Sequence, residues 1–230
     1  MVGTIAANLA EVRSRIDAAA RRAGREPASV RLMAVTKGFP RETVLEALEA
    51  GATLIGENRV QEAETKLVDL AHRCEIHLIG HLQTNKARAA AGLFSCVQSI
   101  DSVHTAEALD ARCDERNRVL DVLLELNTSG EASKSGFAGP GELAAALDRI
   151  ERLPRLRVRG LMTVGPLTAE QGAIRGAFTR LREAFDRLGA GRSGFDVLSM
   201  GMSSDFEIAV EEGSTLVRVG TALFGQRSPR

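Results

Sequence analysis

The sequence of 230 residues lacks several features that mark particular classes of protein. It carries no net charge, because 30 basic residues balance 30 acidic ones, so no overall field favours nucleic acid or an acidic partner. It has only three cysteines, Cys74, Cys96 and Cys113, and none is spaced as zinc ligands or a CxxC motif would be. We therefore expect reduced intracellular thiols, with no disulfide framework and no metal site.

Long hydrophobic runs are also missing. No stretch approaches the roughly 18 apolar residues of a membrane span, and the N-terminal segment has no unbroken apolar core of signal-peptide length. Glu11 and Asp17 argue against a mitochondrial transit peptide, while apolar residues at helical spacing indicate a first helix that docks on a core. The sequence predicts a cytoplasmic protein that contacts neither membrane nor nucleic acid.

What the sequence does contain is a regular alternation of short apolar runs with longer helical patterns. This pattern is typical of an α/β protein built as a closed (β/α)8 TIM barrel, which usually takes about 250 residues. An open doubly wound sheet is the alternative, but no dinucleotide fingerprint follows the first strand. Without a linker or a repeat, residues 1–230 are predicted to form a single domain, in which the N-terminal helix replaces the missing eighth one. The predicted strands are residues 30–36, 53–55, 76–79, 96–99, 120–126, 157–161, 197–199 and 216–219.

Functional residues of a (β/α)8 barrel gather where the strands end. The first predicted strand ends in "AVTKGFP", which places Lys37 at the barrel mouth. A lysine at this rim would be partly desolvated, which lowers the pKa of its amine and favours attack on an aldehyde or ketone. Alternatively, Lys37 extends into solvent or pairs with a carboxylate such as Glu57. Position alone leaves both interpretations open.

The last two strands end in glycines and hydroxyl groups suited to an anion. "GMSSD" and "VGT" offer Ser203, Gly220 and Thr221 in the loops where this fold usually binds phosphate. Alternatively, Asp205 or its neighbour Ser204 caps a helix and Gly220 only turns the chain. A reactive lysine, a phosphate cradle and Arg218 as a fixed cation would together anchor pyridoxal 5′-phosphate through its aldehyde, phosphate and ring nitrogen.

Motifs in the same order over almost the whole chain resemble those of the YggS/PROSC family of pyridoxal phosphate-binding proteins, also called PLP homeostasis proteins. They are "AVTKGFP", "GENRVQEA", "HLIGHLQTNK", "SKSGF", "RGLMTVG" and "LSMGMSSDFEIAVEEGSTLVRVGTALFG". The resemblance implies a barrel of the alanine racemase N-terminal-domain type, with the cofactor held as a Schiff base on Lys37. It also implies a set of contacts: Arg218 at the pyridine nitrogen, Ser203, Gly220 and Thr221 near the phosphate, and Asn58, His77 and Met162 lining the cofactor.

The chain departs from this family at three positions. Many relatives have a second lysine where this sequence has Phe39, a tyrosine at Arg59 and a proline at His81. If that second lysine transfers or accepts cofactor, this protein must do without it. Lys134, within "SKSG", matches the family and could serve instead.

The residues favour a binding protein over an enzyme. The alanine racemases that the family resembles use a tyrosine from another domain as their second proton-transfer group, whereas this sequence has no tyrosine and no such domain. The sequence predicts a non-catalytic carrier, buffer or regulator of pyridoxal phosphate, with apoenzymes as recipients; the resemblance suggests a monomer. One alternative is a racemase or related enzyme of low activity, with Lys37 as base and His77 or His81 as partner. Another is a Schiff-base aldolase acting on a phosphorylated sugar.

Overall fold

A computed structural model describes residues 3–129 and 135–226. Within them, eight parallel strands pair in chain order and close into a barrel, because β8 also pairs with β1. This confirms the predicted (β/α)8 barrel and excludes the open sheet. Lys134 lies outside the described residues. The strands are β1 Arg31–Val35, β2 Leu54–Glu57, β3 Glu75–Leu78, β4 Cys96–Ile100, β5 Leu120–Glu125, β6 Leu156–Met162, β7 Val197–Ser199 and β8 Leu216–Val219.

Helices follow the strands on the outside of the barrel, and one short helix was not predicted. It is α9, a single turn after β8. No helix of the described ranges has the length and apolar character needed to cross a membrane. The α-helices are α1 Ile5–Arg22, α2 Arg41–Glu49, α3 Val60–Leu67, α4 Ala87–Leu93, α5 Val103–Asp114, α6 Pro140–Ile150, α7 Gln171–Gly189, α8 Phe206–Glu211 and α9 Thr221–Phe224.

The strands are buried on both faces except near the residues where some of them begin, such as Arg31 and Glu75. Alternate residues point to the helices or into the barrel. In β8, Val217 and Val219 pack in the main core under the helices, whereas Leu216 packs inside the barrel. Arg218, two residues after Leu216, also points into the barrel and is only 4% exposed. Because a buried charge is costly without hydrogen-bond partners, Arg218 needs partners inside the barrel. Those partners belong to the candidate site at the barrel mouth.

The first helix covers the side of the barrel where β8 is followed only by α9. Thr4 caps the N-terminus of α1, and the buried apolar residues of this helix face the core. Its polar side reaches the last helices: Asn8 Nδ2 donates to Leu223 O at 2.8 Å, and Arg15 lies 2.9 Å from Glu207. The prediction that the N-terminal helix replaces the missing eighth one is confirmed.

Candidate functional site at the barrel mouth

Lys37 lies in a tight turn just beyond β1. The strand ends at Val35, although Thr36 N still donates to Gly56 O at 3.1 Å, and Phe39 N closes the turn on Thr36 O at 3.1 Å. Gly38 has φ 75°, a conformation that glycine adopts without strain. The expectation that the strand runs to residue 36 and ends directly in Lys37 is therefore corrected: Lys37 belongs to the turn, half-buried, because Gly38 bends the chain there.

Glu57, the carboxylate considered as an alternative partner for Lys37, binds another lysine. Its Oε1 lies 2.7 Å from Nζ of Lys66 on α3, and Thr36 Oγ1 donates to it at 2.5 Å. All of these groups are buried outside the barrel wall, between β1, β2 and α3. Burial raises the pKa of Glu57, and the hydrogen bonds from Lys66 and Thr36 oppose that rise.

Arg218 is fixed inside the barrel by two hydrogen bonds. Its Nη1 donates to Ser199 Oγ at 2.6 Å, and its Nη2 donates to Thr163 O at 2.7 Å. Burial lowers the pKa of Arg218 to about 10, while Glu125 and Asp205 oppose this decrease. The guanidinium therefore stays charged at neutral pH and is held in one orientation.

A chain of hydrogen bonds connects Arg218 with the opposite end of the barrel. Ser199 Oγ donates to Gln98 Oε1 at 2.7 Å, and Gln98 Nε2 lies 2.8 Å from His77 Nδ1. An amide nitrogen can only donate, so Nδ1 accepts and the proton of neutral His77 sits on Nε2, 3.5 Å from Glu75 Oε2. Burial lowers the pKa of His77, in agreement with a neutral ring.

The sequence assigned His77 to the cofactor lining, yet both nitrogens of its ring already face protein groups. Through Gln98 and Ser199 the ring supports Arg218, and its place in the cofactor lining stays a prediction. A hydrogen bond from His77 to a ligand would break this chain.

Asn58 directly follows β2, and its Oδ1 is buried without a hydrogen-bond partner among the described residues. Gly80, after β3, makes this arrangement possible: a Cβ at Gly80 would lie 2.4 Å from Asn58 O. A buried polar atom without a partner is unusual in a native protein and indicates a ligand or water at that point.

The loops after β7 and β8 are joined through Ser203. Its Oγ accepts from the backbone amides of Gly220 and Ala222, at 3.2 Å each. The backbone amides of Ser203 and Thr221 donate to no acceptor within the described ranges. Donors without acceptors in two joined loops suit an anion such as a phosphate.

The capping alternative does not describe this loop. Asp205 occupies the N-cap position of α8 but makes no side-chain hydrogen bond to that helix. Its Oδ1 accepts from Met202 N at 2.6 Å instead, which fixes the loop that carries Ser203.

Two further inward-facing residues lie at the ends of neighbouring strands. Met162 ends β6, is buried, and packs with Cys96 and Leu123 inside the barrel. Glu125 ends β5 and pairs in register with Met162. Burial is the main cause that raises the pKa of Glu125 to about 7, and the negative charge of the nearby Asp101 adds to it.

The structure brings the predicted residues of β7, β8 and the loops beside them together, because β8 pairs with both β1 and β7. Sequence reasoning missed Gln98, Ser199, Lys66 and Glu125 as parts of this site. A polar residue at an inward position of a buried strand, such as Gln98 in "CVQSI", is the signal that identifies such support.

Comparison with known proteins agrees with this geometry. The sequence matches the profile of the alanine racemase N-terminal domain family over residues 7–228. A pyridoxal phosphate homeostasis protein of Pseudomonas aeruginosa is 47% identical over 227 residues, which are 98% of this chain and 97% of that protein.

Solved structures also resemble this chain in sequence and fold. The structure of PipY from Synechococcus elongatus with PLP bound is 37% identical, has a TM-score of 0.84 and matches 96% of this chain and 100% of PipY. A histidine racemase of Leuconostoc mesenteroides shares only the fold, at 20% identity and a TM-score of 0.74, over 97% of this chain and 57% of the racemase. The chain therefore belongs to the family of pyridoxal phosphate homeostasis proteins, built on the alanine racemase N-terminal domain.

Proposed function

We propose that the protein binds pyridoxal 5′-phosphate as a Schiff base on Lys37 and acts in the homeostasis of this cofactor as a carrier, buffer or regulator. The observation that carries the proposal is the arrangement around β8. A buried cation, Arg218, is fixed there between two neighbouring strand ends: β1, which leads to Lys37, and β7, which leads to Ser203.

The residues of the mouth fit the three parts of this cofactor. The amine of Lys37 suits the aldehyde, and Arg218 suits the ring nitrogen. The backbone amides of Ser203 and Thr221 supply donors for the phosphate, and Gly220 joins the two loops beside it through its hydrogen bond to Ser203 Oγ. The Asn58 Oδ1 without a partner adds a polar group on the β2 side. When bound, the cofactor supplies an aldehyde that reacts reversibly with amines. The names of the relatives support pyridoxal phosphate as the ligand.

Two features favour binding without substantial amino-acid turnover. Arg218, with a pKa of about 10, keeps its charge and does not give up a proton to the ring nitrogen, which weakens the electron sink that carbanion chemistry needs. The sequence also has no tyrosine to act as a second proton-transfer group. Delivery to apoenzymes, a monomeric state and a cytoplasmic location stay predictions from the sequence.

One observation favours the alternative of a low-activity racemase. His81 Nδ1 lies 2.9 Å from Asp101 Oδ2 after β3 and β4, and a histidine oriented by a carboxylate can move protons. His77 is a poorer partner for Lys37, because its ring is engaged by Gln98 and by Glu75.

The test records the absorption spectrum of the protein with pyridoxal phosphate before and after borohydride reduction, and then locates the modified peptide by mass. We expect the label on Lys37. α-Proton exchange of L- and D-amino acids in deuterated water, followed by NMR, separates carrier from enzyme. Exchange at about one per second, a rate within the usual enzyme range, would favour the racemase.

A further inference from the structure

A second lysine lies beneath the turn that carries Lys37, on the outer side of the barrel wall. Lys66 lies in the last turn of α3, and its side chain is only 7% exposed. A buried ammonium group is costly unless it is paired and hydrogen-bonded. The contacts of Lys66 therefore indicate what it does.

Lys66 binds the turn on both sides of Lys37. Its Nζ donates to Thr36 O at 2.8 Å and to Phe39 O at 3.0 Å, which are the carbonyls before and after "KG". Two carboxylates complete its shell: Glu57 Oε1 at 2.7 Å and Glu62 Oε1 at 3.2 Å. One ammonium thus ties α3, the end of β2 and the turn together.

The two carboxylates also hold the turn directly. Glu62 Oε1 accepts from Gly38 N at 2.6 Å, and Glu57 accepts from Thr36 Oγ1. On the other side, the ring of Phe39 packs against that of Phe224 on α9, with centroids 5.1 Å apart. Relatives with a lysine at this position would lack that ring contact. The turn is therefore fixed from α3 and from α9.

The turn has room to move if these contacts are lost. An open surface pocket of about 410 Å³ lies beside the turn and α3, lined by Gly38, Phe39, Pro40, Arg41, Glu62, Thr65 and Lys66. A displacement of about 1 Å in a reacting group can slow a reaction by about a hundredfold. Small shifts of the turn therefore matter for any chemistry at Lys37.

We propose that Lys66 is a positioning residue for Lys37: with Glu57 and Glu62 it holds the turn so that the Lys37 amine meets the aldehyde of the cofactor. The inference rests on the proposed function. Lys66 lies outside the barrel wall and acts through the backbone of the turn, not by touching the cofactor.

The test compares two measurements in each variant. The first is the rate at which the absorbance band of Lys37-bound pyridoxal phosphate forms under pseudo-first-order conditions. The second is the affinity for an analogue with a methyl group in place of the aldehyde, which cannot bond to Lys37. Lys66→Met should slow bond formation by about tenfold to a hundredfold and leave the analogue affinity unchanged.

Two further variants separate position from stability. Lys66→Met alone leaves Glu57 buried without its cation, which destabilises the fold. Lys66→Met with Glu57→Gln removes both charges, so the stability should recover while the slow rate persists. Leu67→Ala, on the same helix, destabilises through a cavity and keeps the contacts of Lys66. It should react at the wild-type rate.

A wild-type rate in the double variant, or equal slowing in Leu67→Ala, would overturn the inference. Absence of any band in the wild-type protein is a different result, and it would reject the proposed function itself.

Discussion

The two ends of the barrel differ in how far their polar groups are paired with other protein groups. At the end where the strands begin, charged side chains pair with each other at 2.6 to 3.0 Å. These pairs are Arg31 with Glu75, Asp121 with Arg157 and Arg159, and Arg159 with Asp196. At the end where the strands finish, Asn58 Oδ1 and the amides of Ser203 and Thr221 have no protein partner within the described ranges.

This difference separates stability from function within one fold. Polar groups that are hydrogen-bonded or paired within the protein rigidify the structure, whereas polar groups without protein partners can bind a ligand. The same contrast shows in two glutamates: hydrogen bonds from His77 and Arg31 lower the pKa of Glu75 to about 2, and burial raises the pKa of Glu125 to about 7. Changes at the mouth should therefore alter binding, and changes at the other end only stability.

The largest expected effect at the mouth is that of Lys37→Ala. We expect complete loss of the band of covalently held pyridoxal phosphate with an unchanged melting temperature, because removing a half-buried lysine from a turn leaves no core cavity. Absorption spectra and thermal unfolding test this. The matched control is Lys86→Ala, another half-buried lysine, which should keep the band. A band that survives Lys37→Ala would assign the Schiff base elsewhere.

The second prediction concerns the anion cradle. Ser203→Ala combined with Thr221→Ala keeps the backbone amides but removes two hydroxyls, one of which, Ser203 Oγ, joins the two loops. We expect binding of pyridoxal phosphate to weaken by about ten- to a hundredfold, since one hydrogen bond to a charged group contributes about 1.5–3 kcal/mol. Binding of pyridoxal, which lacks the phosphate, should change little.

A control at the opposite end sharpens this result. Ser95 and Thr215 make hydrogen bonds to backbone groups of neighbouring strands near the start of the barrel. Their alanine variants should leave both affinities unchanged. Equal weakening of pyridoxal and pyridoxal phosphate by the mouth variants would place the phosphate elsewhere.

The contrast also explains which parts could be predicted from the sequence. Strands β7 and β8 were predicted to the residue, because their apolar runs are bounded by glycine and polar residues. β1 was predicted one residue too long at its C-terminal end, since Thr36 looks like strand and the positive φ of Gly38 decides the turn.

The supports of the site could not be predicted in the same way. Gln98 meets Ser199 across 101 residues of sequence, and Lys66 reaches Thr36 across 30. Such pairs depend on how the strands curve and where α3 docks, which no local pattern specifies. Lys37 and Ser203 could be predicted as site residues because strand ends carry the functional residues of this fold whatever supports them.

The third prediction concerns Glu125 at the mouth. Its pKa rises from 4.5 unfolded to about 7 folded, so the native state binds more protons between these values. Its contribution to stability is complete below pH 4.5 and is lost as the pH rises through 7, by roughly 3 kcal/mol, since one pKa unit corresponds to about 1.4 kcal/mol. Glu125→Gln should flatten this decline in urea unfolding of the cofactor-free protein. Parallel curves for the two proteins from pH 4.5 to 8 would contradict it.

The smallest effect is expected from Glu75→Gln at the other end, and it has the opposite sign. The folded pKa of about 2 lies below the unfolded 4.5, so the carboxylate stabilises the fold above pH 4.5 and loses that contribution as the pH falls towards 2. The side chain is 49% exposed, so screening limits the loss in Glu75→Gln at pH 7 to about 0.5–1 kcal/mol. Urea unfolding at pH 7 and pH 3, with and without added salt, should show a difference that shrinks under acid and under salt. Cofactor affinity should stay the same, since Glu75 is connected to Arg218 only through His77, Gln98 and Ser199. A weaker affinity would mean that this chain of hydrogen bonds couples the two ends of the barrel.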